Sequence, residues 1–446
     1  MTLRSIKPAI QEIPARRNAR GWRRNFLVVA LAGIGSIALG VSTGLSAIQD
    51  PRLTALTLIA LMLAVAFSGS KRDYGLLLLL LFAFSALARR LYPGPTNDPL
   101  AFLPTLATAP LAFLALRRRL PAHIAFYAVT VVVSAIFGLA HPLIAMVALM
   151  GTLFPILAGH HLNQSLAGPP LVRSQIVVLI SVSAYGILQY FYTPSYDRSW
   201  QKRTGFTSAN MPGTGSFRPW STLPSPGTAS VYVGLSLLLL LSSRPKGAWR
   251  ALNILAISAG LAFLALTKVR TSWLLVAVGL IYLVAIRRLR PWTLLAGCAV
   301  AFFAVTSFAG GAAVTDIATR ANSFGSLSHD NSTRSRLSLI PTISGALTSI
   351  PRGLGSASTS SRIGGSEVVV DNGYVSATDE GGILGLAGVI VLLIGQYRVS
   401  GSRGRILVVG LALAQGAVSS LTGLAVFITF LNSDRQTTGI AEAPQM

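Results

Sequence analysis

Long apolar segments recur along almost the whole chain, from Asn25 to Asn432. A helix needs roughly 17 to 25 predominantly apolar residues to cross a hydrocarbon core of about 30 Å. Only 11% of the 446 residues are charged and 52% are hydrophobic, whereas a soluble domain carries roughly 25% charged residues. The sequence therefore predicts an all-α polytopic membrane protein with 12 to 13 transmembrane helices and a large, partly helical extracytoplasmic loop.

Hydropathy places thirteen candidate spans. They are 25–46, 53–68, 74–88, 100–116, 122–140, 142–159, 175–193, 227–243, 251–267, 272–286, 292–311, 382–396 and 406–431. The two spans that flank His141 form either one broken element or a re-entrant pair. The last run has polar residues in its middle, so it is either one long span or a hairpin, and the side of the C-terminus stays open.

The distribution of basic residues orients this arrangement. Met1 to Arg24 carries seven Lys and Arg, and the apolar run after it is too long for a signal-peptide core, so we expect a retained first helix and a cytoplasmic N-terminus. With alternating sides, the N-terminus and the loops predicted to lie inside hold 22 of the 37 basic residues. The positive-inside rule therefore supports the orientation.

Two longer connections then fall outside, and they divide the chain into seven segments. These are a basic cytoplasmic N-terminus (1–24), N-terminal transmembrane helices (25–193), a first outer loop (194–226), central transmembrane helices (227–311), a large outer loop (312–381), C-terminal transmembrane helices (382–432) and a polar tail (433–446). Long translocated loops are exempt from the charge rule. The nine basic residues in these two loops therefore require another explanation.

Several functional classes are excluded or disfavoured. Cys298 is the only cysteine, which rules out an intrachain disulfide and a thiolate zinc cluster. The formal charge of +24 lies mainly in short connections rather than in basic patches interleaved with aromatic residues, so no nucleic-acid partner is expected. No phosphate-binding or dinucleotide fingerprint is present. We predict no metal site and no cofactor.

Cations cluster in the outer connections. They are Arg198, Lys202, Arg203, Arg218, Lys268, Arg270, Arg320, Arg334, Arg336, Arg352 and Arg362. The planar fork of arginine matches a phosphate or diphosphate. A single arginine could instead pair with an acid or reach lipid headgroups, but the set as a whole predicts an anion site.

Acids are rare, yet three of them lie between Asp371 and Glu380. If a helix begins at Gly381, Asp379 and Glu380 lie at its N-terminus, where the helix dipole favours negative charge. Asp371 has no such explanation, because it lies about ten residues ahead of that helix in polar sequence beside Asn372 and Tyr374.

Four stretches resemble the O-antigen ligase and bacterial polysaccharide polymerase superfamily. "RTSWLL" resembles its Arg-x-x-x-Leu motif, with Arg270 and Leu274 at the fixed positions. "STRSRLSLIPTISGALTSIPRGLGSAS" is similar to its large periplasmic loop, and "DNGYVSATDEGGILGL" to its His-Asn-x-Tyr-Leu segment. "RPWSTLPSPGTASVYVGL" resembles the stretch ahead of a helix in exopolysaccharide polymerases. The motifs span Gly205 to Leu386, and the topology of the whole chain agrees.

The resemblance implies an inverting, metal-independent glycosyltransferase. It would transfer a saccharide from a polyprenyl-diphosphate carrier to a sugar hydroxyl at the outer face of the bacterial cytoplasmic membrane. Its partners would be that donor, a saccharide acceptor, the lipid bilayer, and a chain-length regulator or other glycan-assembly proteins. Asp371 stands where ligases carry a functional histidine, and the outer loops hold only His329 far upstream, so the departure favours a polymerase.

Site residues are assigned within that resemblance. Developing charge on the diphosphate would be met by cations, and an ionised carboxylate would accept the proton of the acceptor hydroxyl. The residues expected to be catalytic are Asp371, Arg270 and Glu380, with Asp371 the first choice as base. The diphosphate would bind Arg203, Arg218, Arg334 and Arg336, and the saccharide Asn372 and Tyr374.

Two alternatives stay open. One is an O-antigen ligase that joins finished polymer to a lipid or another surface acceptor. The other is a transporter of lipid-linked saccharides, which would be expected to carry ionisable residues near the middle of its spans. Most acids here lie in loops or at the ends of spans, which favours the enzyme.

Overall fold

The computed structural model describes residues 71–91, 103–139, 142–166, 169–204, 209–212, 214, 216–286, 315, 318, 351–354, 362–363, 366–367, 372–415 and 423–432. Apart from the first turn of the first helix, these residues belong to one compact unit that begins at Gly75. The predicted spans 25–46, 53–68 and 292–311 lie outside the described residues, as does most of the predicted large outer loop.

Helices make up nearly all of the described part, which confirms an all-α fold for these residues. Their bounds are α1 (Lys71–Leu91), α2 (Leu103–Leu116), α3 (Ala122–Phe137), α4 (Pro142–Leu166), α5 (Pro169–Phe191), α6 (Ser195–Thr204), α7 (Pro226–Leu241), α8 (Ala248–Thr267), α9 (Arg270–Ala285), α10 (Gly373–Val399), α11 (Ser402–Gln415) and α12 (Gly423–Leu431). Two strands of two residues each, β1 (Arg362–Ile363) and β2 (Ser366–Glu367), pair in antiparallel fashion.

Three of these helices are long and apolar enough to cross a membrane, namely the Leu171–Phe191 part of α5, and α8 and α10. Five shorter apolar helices accompany them within the described residues. Many large apolar side chains remain exposed; Val129, Ile281 and Ile383 each expose about 60% of their surface or more. Exposed apolar surface on this scale is unusual for a soluble protein and favours a membrane protein.

Every predicted span within the described residues overlaps a helix, but one helix was missed and one boundary was wrong. The predicted first outer loop (194–226) contains α6, a polar helix with Asp197 in its first turn and Lys202 and Arg203 in its last. That order of charges complements the helix dipole. The predicted start of a helix near 382 was also wrong, because α10 begins at Gly373 and only bends at Gly382.

Contacts between helices define their directions. Ser230 and Ser272, near the starts of α7 and α9, have hydroxyl oxygens 2.6 Å apart, and Leu238 lies against Gly279 further along, so the two helices run parallel. By contrast, α3 and α10 are antiparallel, since His123 Nε2 at the start of α3 lies 3.1 Å from Gln396 Oε1 near the end of α10.

The described part of the final apolar run forms two helices, α11 and α12. Tyr374, at the start of α10, donates a hydrogen bond to the Ala412 carbonyl near the end of α11, so α10 and α11 are antiparallel. Gly423 of α12 lies against Pro155 of α4, and Phe430 lies against Gly159; α12 therefore runs parallel to α4. Residues 416–422 lie outside the described part of the chain, so the choice between one span and a hairpin stays a prediction.

These directions give the assembly two ends. Tyr282 near the end of α9 forms a side-chain hydrogen bond with Tyr397 near the end of α10, so α7, α9 and α10 begin at the same end. We name it the site end, and α1, α5, α8 and α11 end there. The basic end holds the turns that join α2 to α3, α7 to α8 and α10 to α11. Its described basic residues are Arg117, Arg118, Arg119, Arg173, Arg244, Lys246, Arg250, Arg398, Arg403 and Arg405. These three turns are among the connections that the sequence predicts to lie on the cytoplasmic side, and that side stays a prediction.

Candidate functional site

Arg270 is the first residue of α9 and lies at the site end. The turn before it is made by Lys268, which caps α8 in a left-handed conformation with φ of 55°. Two further residues of the "RTSWLL" stretch fix this turn: Trp273 Nε1 donates to the Leu264 carbonyl at 3.0 Å, and Ser272 joins α7. The half-buried Arg270 thus lies at a helix N-terminus, where backbone N–H groups also favour an anion.

Lys268 connects this turn to the first outer segment. It is only 2% exposed, and its Nζ lies 5.8 Å from the centre of the Tyr190 ring. Tyr190 in turn packs on Phe217, with ring centres 6.3 Å apart. The Lys268–Arg270 turn and the Arg218 region are therefore neighbours at the site end.

Arg218 is half-buried and held by its backbone, whose N–H donates to the Ala209 carbonyl at 2.8 Å. The residues around it are anchored by burial of Phe217 and Trp220, which are both fully buried. Arg203, at the end of α6, is exposed. Of the four predicted diphosphate ligands, Arg218 is thus placed beside the Arg270 turn, and Arg334 and Arg336 lie outside the described residues.

A buried ion pair that the sequence did not predict lies beneath this segment. Arg90 Nη1 and Asp197 Oδ1 are 3.0 Å apart, and both side chains are almost fully buried. Asp197 Oδ2 also accepts hydrogen bonds from Tyr185 and Gln189, each at 2.7 Å, while Arg90 donates to the Ser221 carbonyl. Burial lowers the pKa of Arg90 from its ordinary value, and the charge of Asp197 opposes that shift.

Gln189 extends the same network into the backbone. Its Oε1 accepts from the N–H groups of Trp220 and Ser221 at 2.9 and 2.8 Å. The pair thereby ties the end of α1 and the end of α5 to the chain around Arg218. One sequence signal could have revealed it, since Asp197 is the sole acid between Thr193 and Pro226, among four cations.

The predicted saccharide ligands lie at the start of α10, where both also have structural partners. Asn372 caps the helix, and its Oδ1 accepts from the N–H groups of Tyr374 and Val375 at 3.0 and 3.3 Å. Tyr374 O–H donates to the Ala412 carbonyl at 2.8 Å. Both side chains are half-buried. Asp371, the residue just before this cap, lies outside the described part of the chain.

The bend in α10 receives a short segment, 351–354, which we name the docking segment. Gly382 has φ of 60° and ψ of −149°, a conformation that only glycine adopts readily, and it interrupts the helix. The carbonyls of Asp379 and Glu380 accept instead from the N–H groups of Arg352 and Gly353, at 3.2 and 3.0 Å. The docking segment therefore replaces hydrogen bonds that the bend removes.

Arg352 adds an ion pair to this junction, which the sequence did not predict. Its Nε lies 3.2 Å from Asp379 Oδ1; the arginine is 49% exposed and the aspartate 5%. Asp379 is thus an ion-pair partner rather than the N-terminal acid that the sequence suggested. Glu380, half-buried at the bend, keeps its predicted place beside the start of the second part of α10.

The site end thus carries two groups of residues that the sequence assigned to chemistry. The first comprises Arg203, Arg218 and Arg270, and the second Asn372, Tyr374 and Glu380 together with Arg352. Within the described ranges, no group of three or more His, Cys, Asp or Glu residues could hold a metal ion. No family model, no curated protein and no solved structure matches this chain.

Proposed function

We propose that this protein is a polytopic glycosyltransferase of the bacterial cytoplasmic membrane, with a cytoplasmic N-terminus. It transfers saccharide units from a polyprenyl-diphosphate carrier to a sugar hydroxyl at the outer face. Within this class of enzyme, we propose a polysaccharide polymerase. The observation that carries the proposal is that cations from separate segments lie at the same end of the helices. Arg218, Arg270 and Arg352 share that end with the start of α10 and its neighbouring acids.

The chemistry assigns a role to each group. The acceptor oxygen attacks the anomeric carbon, the bond from that carbon to the diphosphate oxygen breaks, and the configuration inverts. The diphosphate leaves with the bonding electrons, and its charge is stabilised by Arg218 and Arg270, with Arg203, Arg334 and Arg336 as further contacts. Asp371 accepts the hydroxyl proton, and Glu380 is the second choice.

The structure changes two details of this assignment. Arg352 joins the candidate cations, because its Nε is held by Asp379 while about half of its surface stays exposed. Asp379 is a poor base candidate, since its carboxylate already has a cationic partner. Asn372 and Tyr374 remain candidates for saccharide contacts. The Asn372 amide could still donate a hydrogen bond, and the Tyr374 hydroxyl oxygen could still accept one.

The proposal is tested in a deletion strain that carries wild type, Arg270→Gln, Asp371→Asn or Arg398→Gln at matched protein levels. Arg398 is exposed at the basic end and serves as the control. We expect wild type and Arg398→Gln to restore long carrier-linked polymer, whereas the other two variants leave single repeat units on the carrier.

Other outcomes point elsewhere. Accumulation of full-length polymer on the carrier in the deletion strain would identify a ligase. Accumulation of repeat units at the inner face would identify a transporter. Wild-type polymer in both Arg270→Gln and Asp371→Asn would show that the assigned site is wrong.

A further inference from the structure

The described side chains of the basic end form a concentration of positive charge. Its ten described basic residues come from four separate segments, and most are exposed. The three acidic side chains that the structure describes, Asp197, Asp379 and Glu380, all lie at the site end. Among the described side chains, the carboxylates are therefore concentrated at one end and these ten cations at the other.

One part of this end is built around an aromatic ring. Arg173, in the first turns of α5, holds its guanidinium carbon 5.3 Å from the centre of the Trp249 ring at the start of α8. Arg244, Lys246 and Arg250 adjoin that tryptophan in sequence and are exposed, as is Arg173. A cation held by an aromatic face keeps its full charge, and tryptophan is characteristic of the boundary between lipid and water.

Apolar side chains continue from these cations along the same helices. Val177 lies one helical turn beyond Arg173, and Ile254 one turn beyond Arg250, so each pair shares a face. Val177 and Ile254 expose 49% and 58% of their surface, and Leu255 exposes 53%. The surface is therefore cationic at the end of the helices and apolar immediately below, which matches a ligand with an anionic head and a hydrocarbon tail.

We propose that Arg173, Trp249 and Arg250, with Arg244 and Lys246, form a binding site for an anionic phospholipid. The phosphate meets the guanidinium groups of Arg173 and Arg250, and the acyl chain lies along Val177 and Ile254. An acidic protein or a nucleic acid would satisfy the charges but not the apolar surface below them. The inference rests on the proposed membrane insertion and not on the proposed transferase activity.

Brominated lipids test the site directly, because bromine quenches tryptophan that touches the acyl chain. The full-length protein is reconstituted into phosphatidylcholine bilayers that contain either brominated phosphatidylglycerol or brominated phosphatidylcholine. The chain has six tryptophans, so the Trp249 signal is taken as the difference between wild type and Trp249→Phe. We expect Trp249 to prefer the brominated anionic lipid.

The variant Arg173→Gln/Arg250→Gln should lower that preference at least about fivefold, since each cation near an anionic headgroup contributes a factor of roughly five. Arg173→Lys/Arg250→Lys should keep most of it. The control Arg117→Gln/Arg119→Gln removes the same charge from exposed positions of the basic end and should leave the preference unchanged.

Three results would overturn the inference. Equal quenching by both lipids would show no headgroup selectivity, and equal loss in the control would indicate a general surface potential. Displacement by inorganic phosphate would show that the site binds a free anion rather than a lipid. None of these readouts depends on transferase activity, so they are distinguishable from a failure of the proposed function.

Discussion

At the residue scale, the clearest structural feature is the buried pair of Arg90 and Asp197. Removing two charges from water costs several kcal/mol per ion, which the mutual attraction and the surrounding hydrogen bonds must offset. Here Tyr185, Gln189 and the Ser221 carbonyl supply those bonds. Because both side chains are almost fully buried, the pair is stable only while both partners are present.

Single substitutions of this pair should therefore be far more damaging than the double one. We expect Arg90→Met or Asp197→Leu alone to lower the free energy of unfolding by about 3 to 5 kcal/mol, because each leaves a buried charge uncompensated. The double variant Arg90→Met/Asp197→Leu should recover most of that loss. Denaturant unfolding in detergent measures all three, with the exposed neighbour Arg198→Gln as control; equal losses in the singles and the double would contradict the assignment.

Gly353 offers a second test at this scale. It has φ of +95°, and a Cβ there would collide with the backbone of Gly138. Gly247 has φ of +62°, but a Cβ there would face open space. Both positions therefore impose the same kind of backbone strain on alanine, and only Gly353 adds a steric collision. We expect Gly353→Ala to cost about 1 to 3 kcal/mol more than Gly247→Ala, because collision adds to the conformational strain.

The docking segment should also detach in Gly353→Ala. Limited proteolysis would then cleave near residues 351–354 faster than in wild type or Gly247→Ala. Identical cleavage in all three would mean that the contact of Gly353 with Gly138 does not hold the segment in place.

At the element scale, the start of α10 contains a residue for which a structural and a chemical role must be distinguished. Asn372 both caps the helix and is a candidate saccharide ligand. Asn372→Ala should lower the free energy of unfolding by about 1 kcal/mol, since a missing cap leaves backbone N–H groups without acceptors. Asn372→Asp keeps the acceptor oxygen but removes the amide donor.

The two variants separate the roles. If Asn372 only caps, Asn372→Asp should retain both stability and transfer rate. If its amide also binds saccharide, Asn372→Asp should keep its stability while the KM for the saccharide substrate rises. Unfolding measurements combined with steady-state kinetics distinguish these outcomes, and loss of stability in Asn372→Asp would contradict the capping geometry.

Sequence patterns predicted the elements well where apolar periodicity was strong. The spans at 122–140, 227–243 and 251–267 all correspond to helices whose bounds differ by a few residues. The polar helix α6 and the first nine residues of α10 were missed, because neither has an apolar run and both depend on burial against other elements. The bend at Gly382 was likewise invisible, since the residue that stabilises it, Gly353, is distant in sequence.

The candidate site was predictable only in part, for a related reason. Arg218 and Arg270 could be chosen from motif resemblance and position, and the segments that carry them are linked through Lys268, Tyr190 and Phe217. The Arg90–Asp197 and Arg352–Asp379 pairs could not be derived, because the partners are distant in sequence and no local pattern joins them. Asp371, Arg334 and Arg336 remain predictions.

At the scale of the whole molecule, the separation of charge between the two ends predicts a topology. Single cysteines are introduced at Lys246 and Arg203 in a Cys298→Ser background; both positions are exposed. A membrane-impermeant maleimide applied to intact cells should label Arg203→Cys, at the site end, while Lys246→Cys reacts only after the membrane is opened. Labelling of both from the same side would contradict a polytopic arrangement of these helices.

The central claim is that the site end transfers saccharide from a diphosphate carrier, and it is tested most directly with purified protein. The protein is reconstituted with a synthetic polyprenyl-diphosphate oligosaccharide, without nucleotide sugar or metal, and the products are separated by mass. We predict longer carrier-linked saccharide together with released polyprenyl diphosphate, and loss of both in Arg270→Gln. Unchanged saccharide that has moved across the bilayer, or no product from protein whose helices are intact, would contradict this account.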